Sequence, residues 1–502
     1  MTDPARVPVI IGVGQINDRE PDPFAAMDSP ALMAAALARA DADAGGGWID
    51  RIDSLSVVDQ ISFRDLNPVV DGLAATLGIA PAHRFQTAMP MGDSPVRLLN
   101  DAANRIGAGD SHVAAIVGAE ALRTAARRAA ATAGGGESDH NAMRARHRGR
   151  APDYRQRYGL TAPVDVYPLY ENATRAAWGQ SLDAGQRESA AIWSDFSTVA
   201  AANPDAWLRT ERRADEIATP TADNRPIAFP YTKLMVANSS VNQGAGFLVT
   251  SLALARAHGV DPARIVHVGH GAAAHEPDDI LGRAGYAASA GMRVTLERTL
   301  AINDLTIADI DHVELYSCFP CVPKMARRIL DWPLNRAMSV VGGLTFGGGP
   351  IGNYMSHAVA AMVERIRRDG GTGLLFGNGG FATHNHAIVL SRAALPGTAF
   401  PRAFDHQRDA DAARGIVPPV DKTYVGTGTV ESYTVLYDRD GSARAGIVVA
   451  RNPAGARFLA RVPATDGATI AFLTDGAIEP VGSGGTATRA ADGLVDWTRV
   501  TG

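Results

Sequence analysis

The sequence predicts a layered α/β protein made of two similar halves, followed by a small β-barrel. Three observations predict it. Apolar strand-like runs alternate with Ala-rich helical runs up to about residue 120. A strand and helix pattern from the first half recurs in the second. After Leu395 the pattern changes to short alternating segments divided by turn residues.

The elements follow in order. Val7–Gln15 (VPVIIGVGQ) is an apolar run rich in glycine towards its end, as in a buried strand. SPALMAAALARADADA has a capping serine and a proline at the first helical position, and reads as a helix. IDRIDSLSVVDQ supplies a turn and a second strand. Residues 121–165 break the rhythm with glycine-rich AATAGGGESDHN and arginine-rich RARHRGRAPDYRQRYG, read as a mobile or surface excursion. Its arginines either face a phosphate-bearing ligand or are simply solvated. Residues 170–215 return to helical patterning, Asn224–Asn238 reads as an irregular loop, and VNQGAGFLVTSLALARAHG reads as a strand entering a helix.

The internal repeat carries the fold prediction. Ile52, Asp53, Leu55 and Val57 fall in register with Ile310, Asp311, Val313 and Leu315, each set following a helical run. The helix ending NRIGAGD and the strand His112–Glu120 are echoed by ERIRRDGG and Gly373–Gly380. Two copies in one order predict a duplicated α/β fold with a helix pair between two sheets. Beyond the Pro-rich stretches PGTAFPRAF and GIVPPV, short strands separated by DG, NPAG and TDG turns predict an OB-like β-domain. The expected division is an N-terminal half over 1–260 (excursion about 121–235), a C-terminal half over 261–395, a linker over 396–415 and the β-domain over 416–502.

Composition narrows the function classes. Of 502 residues 46% are apolar and 20% charged, the balance of a globular protein with a substantial core. Net charge is −5 without a long basic stripe, so nucleic acid is not an expected partner. No run approaches about 18 apolar residues, so no membrane span is expected. The start MTDPARVPVIIGVG lacks a signal-peptide pattern, and a cytoplasmic location is expected. The two cysteines, Cys318 and Cys321, stand as C-x-x-C. That spacing suits redox chemistry or half a zinc site, but no histidine pair supplies the other half, and reduced thiols are expected. No metal or cofactor is expected.

Four further segments resemble the thiolase superfamily. Gly92–Glu120 resembles the thiolase nucleophile loop, its buried helix and the strand ending in G-x-E. VELYSCFP (Val313–Pro320) resembles the His-Asp-Cys-Phe loop of sterol-carrier-type thiolases. GGLTFGGGPIGNYMSHA (Gly342–Ala358) resembles the Gly-His-Pro loop, and GLLFGNGGFATHNHAIV (Gly373–Val389) the final Cys-x-Gly loop. With YPLYENATRAAWG, NRPIAFPYTK and the C-terminal β-domain, the pattern is similar to that of type 1 thiolase-like proteins. The resemblance implies a duplicated, five-layered αβαβα fold. It also implies acetyl-CoA acetyltransferase-like chemistry in lipid metabolism, a small acyl-CoA as substrate or ligand, and a monomer or homodimer.

The loops depart from that family where chemistry matters. A thiolase needs a cysteine at the start of the buried helix, where the helix terminus and a histidine stabilise the thiolate. Counting back from Ile106 along the buried helix puts Gly92 there, and the resemblance of the loops implies Gly349 at the Gly-His-Pro histidine, Gly377 at the Cys-x-Gly cysteine, and Tyr316 at the first residue of the remaining loop. Only Cys318 keeps its family identity, where it can serve as acid or base. Ser94 is either a substitute nucleophile or a helix cap that also holds a bound oxygen. The glycine loops, with Gly92, Gly349, Gly377 and Gly379, offer backbone N–H groups to an oxyanion, beside Asn353 and Asn378. Tyr316, Cys318, Tyr354 and His357 are the expected catalytic groups. His357 either moves protons or orients a loop, and His384 and His386 either join the site or flank a strand. Cys321 reads as core packing. The expected function is therefore acyl-CoA chemistry without an acyl-cysteine. The alternatives are a retro-aldolase-like C–C lyase, with Tyr316 and Tyr354 as its tyrosines, and a non-catalytic acyl-CoA or lipid binder.

Overall fold

A computed structural model describes residues 3–132 and 152–500. The first half contributes β1 (Pro8–Asn17), α1 (Ser29–Asp43), β2 (Ser54–Val57), α2 (Val70–Leu77), β3 (His83–Gln86), α3 (Ser94–Ala108), β4 (Val113–Ala121) and α4 (Leu122–Thr132). After two helices, Pro163–Ala177 and Leu182–Ala202, come β5 (Pro226–Ala228), β6 (Tyr231–Thr232) and β7 (Asn242–Ser251). The second half contributes β8 (Val266–His275), β9 (His312–Leu315), β10 (Thr372–Gly379) and β11 (His384–Ser391), with helices Ala290–Ile302, Cys321–Ile329 and Tyr354–Asp369.

The duplication is visible in the strand order β3-β2-β4-β7-β1-β8-β11-β10-β9. In the first half β2 runs parallel to β4, β4 antiparallel to β7, and β7 antiparallel to β1. The second half repeats this: β9 runs parallel to β10, β10 antiparallel to β11, and β11 antiparallel to β8. Among the described residues the two half-sheets are paired through Val9↔His267 and Ile10↔Val266. The register of Leu55 and Val57 with Val313 and Leu315 is therefore one of equivalent strands.

α3 and helix Tyr354–Asp369 touch each other and strands of both half-sheets, so they form the middle layer. Val96, Leu98, Leu99, Ile106, Met355, Val359 and Ile366 are buried there, each large side chain contributing about 1.5–3 kcal/mol. α1 covers the outer face of the first half-sheet and helix Ala290–Ile302 that of the second, which completes αβαβα. The alanines of α1 have a steric purpose. A Cβ on Gly12 or Gly14 of β1 would lie 2.1 Å from the carbonyls of Ala40 or Ala36, so strand and helix backbones are in direct contact.

The C-terminal strands β12 (Gly426–Tyr437), β13 (Ala443–Arg451), β14 (Arg457–Pro463), β15 (Gly484–Arg489) and β16 (Val495–Arg499) close into a barrel, β12-β13-β14-β16-β15-β12. The β14–β16 pair is parallel, and helix Gly467–Thr474 connects β14 to β15. That order makes it OB-like. Val430, Val448, Phe458, Val462, Phe472 and Trp497 fill it. The barrel is fastened to the body. Arg457, fully buried, pairs with Glu431 and donates to the carbonyls of Leu281 and Arg283. Arg175 pairs with Glu479, and Asn172 Nδ2 donates to the Tyr433 carbonyl at 2.9 Å.

Three local expectations need correction. The stretch Asn224–Asn238 is not wholly irregular, because β5 pairs with β12 and with β6. The linker carries a helix, Gln407–Ala413. The 121–165 break contains α4 and a short helix, Tyr154–Arg157, while most of its glycine- and arginine-rich run lies outside the described residues. Among the described residues no helix is long and apolar enough to cross a membrane.

Candidate functional site

Four chain segments converge between the half-sheets: Gly92-Asp93-Ser94 entering α3, Tyr316–Phe319 after β9, the glycine-rich turn Gly342–Gly349, and the end of β10 at Asn378. Their contact is tightest at Gly92. A Cβ there would lie 2.1 Å from the Asn378 carbonyl oxygen, 2.3 Å from the Tyr316 hydroxyl oxygen and 2.5 Å from Tyr316 Cζ. The tyrosine thus occupies the volume into which a side chain at the helix start would project. Gly377 and Gly379 are similarly close, with Asp93 Cα 3.0 Å and the Gly92 nitrogen 2.9 Å from their would-be Cβ atoms.

Tyr316 is buried, and burial, with Cys318 and Asp93 adding to it, pushes its hydroxyl well above the usual tyrosine range. It keeps its proton at neutral pH. Its ring meets Tyr354 edge to face, with centroids 5.8 Å apart. Tyr354 donates to Glu314 Oε1 at 2.8 Å. Glu314 is fully buried in β9 and also accepts from Ser339 Oγ and the backbone N–H groups of Val340 and Val341. Burial outweighs those donors and raises its carboxyl to about 7. Tyr354 and the unpredicted Glu314 are thus hydrogen-bonded, and Tyr316 joins them through its ring contact with Tyr354.

Cys318 lies in the same loop, but burial pushes its thiol up to about 12. Cys321 starts the next helix, with Sγ 3.7 Å from the Tyr167 carbonyl, and burial pushes its thiol well above the usual range too. Neither thiol stands at the start of α3, and neither is activated. His357 is buried, with Nδ1 2.8 Å from Gln15 Oε1 and no partner for Nε2 among the described residues. Burial lowers it to about 3, so it stays neutral. His386 is buried likewise and also lowered to about 3, lying against Phe404. His384 packs edge-on to His275 at 4.7 Å.

Three expected ligand donors are otherwise engaged. The Gly349 N–H donates to the Asn238 carbonyl at 2.8 Å. Asn353 donates to the Gly118 carbonyl at 2.5 Å and accepts from Ser356 Oγ at 2.7 Å. Ser94 Oγ accepts from the Met91 N–H at 3.2 Å, while Asp93 holds the N-cap position. These contacts fasten loops. Asn378, fully buried, accepts from the Tyr167 hydroxyl at 3.0 Å and donates to Asn385 Oδ1 at 2.9 Å. Tyr167 also accepts from the Ala382 N–H at 2.8 Å and stacks on Phe319 at 4.5 Å.

Sequence reasoning missed Glu314, Tyr167, Asp93 and Gln15. Glu314 left a readable signal, an acid inside the apolar strand HVEL. Asp93 is buried, its carboxyl raised by burial and drawn back by His384 and His275. Among the described residues no cluster of His, Cys, Asp or Glu is arranged to hold a metal ion.

The duplicated layers and the four converging loops are those of a thiolase-type fold. Residues 409–493 match the family described as thiolase-like protein type 1 additional C-terminal domain. A monomeric SCP2-thiolase like protein type 1 from Mycobacterium smegmatis is 29% identical, with both chains covered completely and a TM-score of 0.83. The chain is thus similar over its whole length to a type 1 thiolase-like protein, and it carries the additional C-terminal domain. Two solved structures at 16% identity share the fold over 78% of this chain. They are the Ltp2-ChsH2(DUF35) aldolase (99% of that chain, TM-score 0.59) and human mitochondrial 3-ketoacyl-CoA thiolase (100%, 0.58). No curated protein sequence matches the chain.

Proposed function

We propose that this protein acts on an acyl-CoA thioester at the carbon–carbon bond beside the carbonyl, without an acyl-enzyme, and that Tyr316 is its proton donor. The observation that carries this reading is the interlock of Gly92 with Tyr316. A phenol stands where a thiolase-type nucleophile would project. Cys318 is no replacement. With its thiol at about 12, the thiolate fraction at pH 7 is roughly one in 10⁵.

A neutral phenol donates to a thioester carbonyl oxygen and stabilises the enolate that C–C cleavage leaves. In a retro-aldol step on a β-hydroxyacyl thioester, a base removes the hydroxyl proton. The Cα–Cβ pair moves into the enolate, Cβ leaves as a carbonyl, and Cα takes a proton. Glu314, near neutrality at about 7 and bonded to Tyr354, is suited to exchange that proton. A second reading, acyl-CoA binding without turnover, is favoured by the neutral, buried His357 and His386.

The test combines thermal shift, intact mass and turnover against acyl-CoAs of graded length. The expected result is stabilisation by at least one ester, no added mass, loss of cleavage in Tyr316→Phe, and retained cleavage in Cys318→Ala. An acyl adduct on Cys318 would overturn the non-covalent chemistry. Stabilisation by none of the esters would remove the thioester, and binding without cleavage would leave the second reading.

A further inference from the structure

Outside the tyrosine site two arginines lie over one tryptophan, and the charge of a third acts on one of them. Arg19 follows β1, Arg123 lies at the start of α4, and Arg209 follows Trp207 in the loop after helix Leu182–Ala202. The Arg19 guanidinium carbon sits 4.4 Å from the Trp207 ring centroid, and that of Arg123 5.8 Å from it. Arg19 Nη2 donates to the carbonyls of Ala206 at 3.2 Å and Trp207 at 2.7 Å. Arg209 Nη2 donates to the Ala201 carbonyl at 3.3 Å.

Among the described residues none of the three has a carboxylate oxygen within 4.0 Å. The acid that feels Arg209 is Asp205, whose Oδ2 is 3.4 Å from Gln15 Nε2. Exposed arginines ordinarily spread apart or take an acidic partner. Here Arg19 is held by two backbone carbonyls and by the ring, so it does not swing away from its neighbours. Burial, then the charges of Arg123 and Arg209, weaken its hold on its own proton. An anion between these groups would relieve that repulsion and meet several guanidinium donors at once.

The location gives the cluster a purpose. The Trp207 N–H donates to the Gly347 carbonyl at 3.0 Å, and the Leu208 N–H to the Phe346 carbonyl at 2.7 Å. Gln243 Nε2 donates to the same Gly347 carbonyl at 3.0 Å and to Asn17 Oδ1 at 2.8 Å, two residues before Arg19. The arginines are therefore tied to the glycine-rich turn that forms one wall of the candidate site.

We propose that Arg19, Arg123 and Arg209 form a phosphate-binding patch, which takes the phosphate-ester end of a ligand whose acyl end lies at the glycine turn. The first part stands on the cluster alone. The second rests on the thioester reading above.

Calorimetry on the full chain at low ionic strength tests it, with pyrophosphate and then coenzyme A as probes. Arg19→Gln/Arg209→Gln is expected to weaken both probes by about tenfold or more, while Arg256→Gln, an exposed arginine elsewhere, leaves them unchanged. Added salt should weaken both. Arg209→Gln alone removes one exposed side chain and should weaken pyrophosphate about threefold, which keeps the test open if the double variant misfolds. Pyrophosphate that fails to bind, or binds equally well to the double variant, overturns the patch. Coenzyme A binding that ignores both arginine changes overturns the placing of the ligand's phosphate-ester end at the patch and leaves the thioester reading standing. Pyrophosphate binding lost in the double variant, with coenzyme A no tighter than pyrophosphate, keeps the patch and removes the thioester.

Discussion

Replacing Gly92 by alanine probes the Gly92–Tyr316 interlock directly. Ordinary contact begins near 3.4 Å, and the new Cβ would lie 2.1 Å from the Asn378 carbonyl oxygen, a shortfall of about 1.3 Å. Two sides resist relief. The carbonyl belongs to β10, whose residue Asn378 is paired with Asn385 of β11. The Tyr316 ring is backed by Tyr354. Overpacking of a close-packed interior costs about 1–3 kcal/mol, and a clash with backbone on one side belongs at the upper end. Gly92→Ala should therefore lower stability by about 3 kcal/mol, read from the urea midpoint at unchanged slope. Tyr316→Gly removes two of the three clashing atoms but not the carbonyl. The double variant should thus be less damaged than the two single losses combined, with a coupling of about 1 kcal/mol. A Gly92→Ala protein with the wild-type midpoint, or singles that simply add, would refute the interlock.

Two other perturbations have defined signs. Lys324 Nζ is fully buried, 2.5 Å from Glu171 Oε1, with Gly185 O and Ser189 Oγ each at 3.2 Å. Lys324→Met strands the carboxylate and should lower stability by about 3–5 kcal/mol, while Glu171→Leu/Lys324→Met should recover much of that loss in the same denaturation experiment. Glu314 stands at about 7 in the folded protein against its ordinary 4.5, so the folded state keeps a proton that the unfolded chain releases. Its contribution is complete below pH 4.5 and is lost as pH rises through 7, a total of about 3 kcal/mol. Glu314→Gln should remove that slope and still accept from Tyr354. Parallel midpoint-versus-pH curves for the two proteins would contradict the assignment.

The fold was legible where periodicity and repetition coincide. Ile52, Leu55 and Val57 matched Ile310, Val313 and Leu315 because equivalent strands face equivalent helices, so the same positions must be apolar in both halves. The small residues of α1 were legible as helix, but their cause was not. That cause is the contact of Gly12 and Gly14 with α1 carbonyls, which depends on a distance that sequence does not encode. Asn224–Asn238 read as a loop because β5 and β6 are short and complete the edge of a barrel that begins some two hundred residues later. Pairing at that separation leaves no local pattern.

The site was half legible, and the division has a physical reason. Counting along the loops that resemble thiolase loops singles out Gly92, Gly349 and Gly377. It does not show what fills the space they leave. Tyr316 was noticed as a substituted loop residue, yet its hydroxyl lies at Gly92 only because β9 and the start of α3 converge. The two changes are therefore one steric event: a tyrosine at 316 requires glycine at 92, and a cysteine at 92 would need Tyr316 and the Asn378 carbonyl both to withdraw. The same reasoning covers Glu314, which looks like an isolated acid in a strand until Tyr354, Ser339 and two backbone N–H groups surround it. Restoring sulfur at position 92 alone should therefore not restore acyl transfer, because the space an acylated side chain there would need is occupied by the Tyr316 phenol and the Asn378 carbonyl.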